Sequence, residues 1–91
     1  MKCFIITYDL RKPGRDYKSL YEALKSFGTW GKITESTWAI VSSLTSRQIY
    51  DFLSKHIDSN DRIFVIKSGK DATWINAIAS VDWLKKHLIL D

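Results

Sequence analysis

Hydrophobic positions along the chain change period several times, and each change marks an element. Cys3-Phe4-Ile5-Ile6-Thr7-Tyr8 is apolar on both alternating faces, the pattern of a central strand covered on both sides. It stops at Asp9-Leu10, and Pro13-Gly14 supplies turn chemistry in the loop that follows. Asp16 is a suitable N-cap, and Tyr17, Leu20, Tyr21, Leu24 and Phe27 recur at helical spacing. The spacing predicts a helix over 17–27, closed by Gly28 in a left-handed cap.

Two stretches of strand character follow. Trp30 to Thr34 is polar and contains Gly31, which suits an edge strand. Thr37-Trp38-Ala39-Ile40-Val41 is richer and suits an interior strand. Glu35-Ser36 is then the tight connection, with one long bent strand as the alternative. A second helix is announced by a capping box, Thr45 with Gln48, and a hydrophobic staple, Leu44 with Ile49. Its stripe is Ile49, Phe52, Leu53 and Ile57, and Asp58-Ser59-Asn60-Asp61 reads as a turn. Arg62-Ile63-Phe64-Val65-Ile66-Lys67 reads as a buried strand with charged ends, broken at Ser68-Gly69-Lys70.

The resulting order, β-α-β-β-α-β, predicts an α+β, ferredoxin-like sandwich, with the first and third strands side by side in the middle. Residues 1–68 form the expected core and 69–91 a C-terminal extension of the same single domain. In that extension Trp74-Ile75 suggests a short extended segment, and Ser80 suggests the cap of a helix carrying Val81, Leu84 and Leu88. Two helices on one face leave the other sheet face bare. The tail, or a second subunit, is expected to cover it.

Composition narrows the class. Ninety-one residues with 45% hydrophobic and 26% charged content exclude disorder and collagen-like repeats. One cysteine, Cys3, excludes an internal disulfide and points to a reducing compartment, so a cytoplasmic location is expected. No apolar run is long enough for a membrane span. The net charge of +4 is unevenly placed: residues 33–91 are balanced, and the whole excess lies in the first third. Arg11, Lys12, Arg15 and Lys18 fall within eight residues and suggest a loop facing a polyanion such as nucleic acid.

Asp9 is the sharpest candidate for chemistry. A carboxylate ending a central strand beside a basic loop suits a hard cation and phosphate chemistry; its plainer role is to cap the turn. His56 and His87 lack partners at metal-ligand spacing, and a single cysteine makes no zinc site. His56 suits the end of the second helix, and Cys3 reads as a small buried residue. Tyr17 reads as core, Trp30 as core or stacking platform, and Trp74 and Trp83 as core or interface anchors.

Tyr8-Asp9-Leu10, the basic loop, the helix ending Leu24-Lys25-Ser26-Phe27-Gly28, and Ser36-Thr37-Trp38 together resemble the small ferredoxin-like CRISPR-associated proteins of the spacer-adaptation complex, and more closely their stand-alone relatives. VapD-type toxin ribonucleases are a more distant likeness. The resemblance spans about residues 1–67. It implies a homodimer with facing sheets, in which each C-terminal segment extends the partner's sheet. It also implies that Asp9 of both subunits holds magnesium or manganese for phosphodiester cleavage of RNA or DNA. Other members serve as DNA-binding scaffolds without using that residue, and a protein-binding dimer in a defence or toxin–antitoxin system is the third expectation. Thr34 and Ala39 depart from the family's usual residues at those places.

Overall fold

The computed structural model describes residues 1–11 and 17–88. The strands are β1 (Lys2–Asp9), β2 (Trp30–Thr34), β3 (Thr37–Ser42) and β4 (Arg62–Lys67), and the helices are α1 (Lys18–Lys25), α2 (Ser46–Leu53) and α3 (Val81–His87). All strand pairings are antiparallel, and the sheet order is β2-β3-β1-β4. The described residues form an α+β protein in which the first and third strands do take the central places.

Local signals set most boundaries. Thr45 Oγ1 accepts from Gln48 N at 3.1 Å while Gln48 Oε1 accepts from Thr45 N at 3.0 Å, completing the capping box. Gly28 adopts φ +85°, a left-handed conformation that ordinary side chains resist, and so turns the chain out of α1. The regular part of α1 is shorter than 17–27: Phe27 lies in the closing turn, and the expected cap Asp16 falls outside the described residues. Past Leu53 the second helix tightens into a 3-10 turn, Ser54–His56. His56 there sits edge-on to Phe52, with ring centroids 5.9 Å apart.

The alternation of side chains divides the sheet into two faces. On one, Phe4, Ile6, Tyr8, Trp38 and Ile40 pack beneath Tyr17, Leu20, Leu24, Ile49 and Leu53 of the helical layer. The opposite face is covered by the tail: Leu84 and Leu88 pack with Cys3 and Ala39, flanked by Ile5, Ile33, Trp74 and Trp83. Gly31 is what lets this layer approach, because a Cβ there would lie 2.9 Å from two ring carbons of Trp83. Backbone bonds from Ile78 N to Ile33 O (3.0 Å) and Ala79 N to Lys32 O (2.8 Å) tie the tail to β2. Ser68 Oγ donates to Leu88 O at its far end.

The tail covers part of the second sheet face, one of the two coverings expected, with Leu84 fully buried. Two expectations are corrected. Trp74-Ile75 forms no strand; the chain there is irregular and Ile75 is exposed. And β4 is an edge strand rather than a buried one: Ile63 and Val65 pack on the helical side, while Phe64 and Ile66 are 60% and 51% exposed. Its apolar run matches that of β1, but β4 has one neighbouring strand instead of two, and the tail approaches it only at its far end, where Asp71, Ala72 and Leu88 border a hollow with Ile66.

Candidate functional site

Asp9 ends β1 at the margin of the second face. The antiparallel register sets it opposite Arg62, the first residue of β4. Its Oδ2 accepts from Arg62 Nη1 at 3.0 Å and from Arg11 Nη1 at 3.3 Å. Both pairs are solvent-exposed, so each contributes about 0–1 kcal/mol to stability. Thr7 stands two residues back on the same face and accepts from Thr37 Oγ1 at 3.2 Å. A shallow hollow lined by Thr7, Asp9, Arg62 and Phe64 lies at this end of the sheet.

A second carboxylate organises the neighbouring chain. Asp61, in the turn before β4, receives Arg11 N on Oδ1 at 2.7 Å and Asp58 N on Oδ2 at 2.8 Å. The buried Tyr17 places its hydroxyl 3.0 Å from both oxygens. Tyr17 is thus core through its ring, as expected, and a tether through its hydroxyl.

Of the predicted basic group, Arg11 lies at the end of β1, and Lys18 opens α1 with an exposed side chain. Lys12 and Arg15 lie outside the described residues. Arg62 and Asp61, expected only as a strand end and a turn residue, prove to belong to the site. Arg62 is 53 residues from Asp9, and Asp61 is 50 from Arg11 and 44 from Tyr17. Only the β1–β4 register brings these groups together, and no local spacing announces it.

The magnesium or manganese implied by the resemblance would take Asp9 from both subunits, and one chain supplies only one of those carboxylates. Magnesium requires a near-octahedral oxygen shell, whereas Asp9 presents one carboxylate already bonded to two cations. Among the described residues no three His, Cys, Asp or Glu side chains group so as to hold a metal.

Trp30 proves to pack against the helical core, its ring centroid 5.2 Å from that of Trp38, with Lys25 Nζ 5.4 Å from its centre. Trp74 and Trp83 serve as anchors of the tail. Cys3 is buried, and desolvation pushes its thiol pKa up, against a smaller opposing effect of the Ser68 hydroxyl. A thiol so held is a poor nucleophile. No helix of the described residues is long and apolar enough to cross a membrane. No family model matches the chain.

Proposed function

We propose that this chain is a ferredoxin-like homodimer that binds nucleic acid through its phosphate backbone, as its resemblance to the CRISPR-associated adaptation proteins implies. The strand order β2-β3-β1-β4, with both crossover helices on one face, supports the ferredoxin-like reading. The observation that carries the dimer is the uncovered part of the second face. Phe64 stands exposed beside Asp9 and Arg62, and Ile66 is half exposed where it borders a hollow shared with Asp71, Ala72 and Leu88 of the tail. The tail covers its own sheet over residues 74–88, so the subunits meet through this open part rather than by exchange of that segment. Arg11, Lys12, Arg15 and Lys18 supply the cations for phosphate, and residues 33–91 are balanced in charge.

Asp9 in this reading offsets part of the charge of Arg11 and Arg62 at the rim of the interface. The two guanidiniums on one oxygen favour this binding role over metal-dependent cleavage.

Sedimentation and duplex-binding titrations test the proposal together. A dimer at micromolar concentration is expected. Its affinity for duplex should fall steeply with salt, and Arg11→Glu/Lys12→Glu should weaken it equally on unrelated sequences. A monomer, or binding unchanged in that variant, would overturn the reading. Cleavage of RNA or DNA that requires magnesium or manganese and disappears in Asp9→Asn would replace it with the phosphodiesterase.

A further inference from the structure

The carboxylate of Asp61 joins three pieces of chain that are far apart in sequence. Arg11 N reaches it from the end of β1, the Tyr17 hydroxyl from the residue preceding α1, and Asp58 N from the turn before β4. Asp61 N in turn bonds Asp58 O at 3.1 Å, closing the turn on itself. The acid is only half-buried, while Tyr17 is buried, so the tether is anchored on the core side. Arg11 and Lys18, adjacent to or part of these tethered points, belong to the basic group that carries the proposed function.

We propose that Asp61 is the positioning residue of the basic surface: it fixes where Arg11 leaves β1 relative to where Lys18 begins α1, so that both cations meet one phosphate backbone together. This rests on the nucleic-acid reading above. It runs against simple charge, since an acid next to a polyanion site should weaken binding and its removal should strengthen it. A bare charge effect and a positioning effect therefore have opposite signs.

The test uses Asp61→Asn, which keeps the shape and loses the charge-assisted acceptor. Asp71→Asn, at an exposed position away from the tether, removes the same unit of charge. Two readouts are taken on each full-length protein: amide hydrogen exchange by NMR, and affinity for a 20-base-pair DNA duplex across a salt series. In Asp61→Asn the Arg11 and Asp58 amides should exchange at least tenfold faster, while those of Ile6 and Ile40 keep their protection. Duplex affinity should fall severalfold, and the salt slope should become shallower by about 0.9 for each phosphate that is no longer neutralised. Asp71→Asn should bind at least as tightly as the wild type. Should Asp61→Asn lose protection everywhere, Tyr17→Phe carries the test, with a smaller effect of the same sign and no change of charge.

Unchanged Arg11 and Asp58 exchange would overturn the proposal. So would tightening in Asp61→Asn equal to that in Asp71→Asn with an unaltered slope. If the wild type binds no duplex, the functional reading fails instead, and the exchange rates alone decide the tether.

Discussion

The indole Nε1 of Trp38 donates to the phenolic oxygen of Tyr8 at 2.9 Å, joining β3 to β1 beneath the helices. Tyr21 stacks on the same indole at 6.3 Å between centroids, so the bond is shielded. Tyr8→Phe leaves the indole N–H without this acceptor in the core. The expected loss is about 1–3 kcal/mol of stability, read from urea denaturation followed by tryptophan fluorescence. An unchanged midpoint would mean that the indole has found another partner.

Alkaline pH should destabilise the fold by two routes. Burial raises the Tyr8 phenol above its ordinary 10.0 against a smaller lowering effect of the Trp38 bond, with still smaller raising contributions from Tyr21 and Glu35. Burial likewise raises the Cys3 thiol above 9.0. A group with a raised folded pKa favours folding fully below its unfolded pKa, and that contribution is lost as pH climbs through the folded value. Melting temperatures should hold to about pH 9 and decline above it. Cys3→Ala should blunt the first part of the decline and Tyr8→Phe the part above pH 10.0. A flat profile to pH 11 in the wild type would contradict this.

Gly31→Ala tests the closeness of the tail. Alanine in a strand ordinarily gains from reduced backbone entropy. Here its Cβ meets the Trp83 ring at 2.9 Å, and that ring is wedged against the second core. A net loss of about 1–3 kcal/mol is expected, with a smaller penalty for the same change in a Trp83→Leu background. A gain in stability would show that the ring moves aside freely.

Phe64→Ser with Ile66→Ser removes the open apolar strip without touching either core. Both residues are already exposed, so the subunit fold should keep its circular dichroism spectrum while the sedimentation coefficient drops to that of a monomer. Retention of the dimer would place the interface elsewhere.

Asp9→Asn should change stability by less than about 1 kcal/mol, because its ion pairs are exposed. The variant gains one positive charge and releases two guanidiniums, so non-specific duplex binding should tighten. Titration at low and high salt checks this, and weaker binding would give Asp9 a direct part in the contact.

Signals confined to one turn or one strand were legible in the sequence: the Thr45–Gln48 box, Gly28, the Ser80 cap whose Oγ accepts from Trp83 N at 3.1 Å, and the alternation in β1. Signals that depend on neighbours were not. β4 has the same two-faced apolar pattern as β1, and only strand order makes one central and the other an edge. Asp9 could be singled out because it ends a strand, but its partner Arg62 follows from register. The tail's core was hidden for a related reason. Cys3, Gly31 and Ala39 are small and read as unremarkable strand residues, yet they form the floor that admits Trp83 and Leu84.

Because α3 and its approach lie over β1, β2 and β3 on the second face and leave Phe64 of β4 open, that side of the molecule is stepped. A helix is about 10–12 Å across with its side chains, so the drop from α3 to Phe64 is of that height. A flat body laid over this side would rest on the helix and leave the lower ledge wet. Whatever dries Phe64 and Ile66 must carry a ridge of matching depth. The tail therefore acts as a gauge block as well as a cover: lengthening or thickening it would alter how closely any body could come to rest on Phe64.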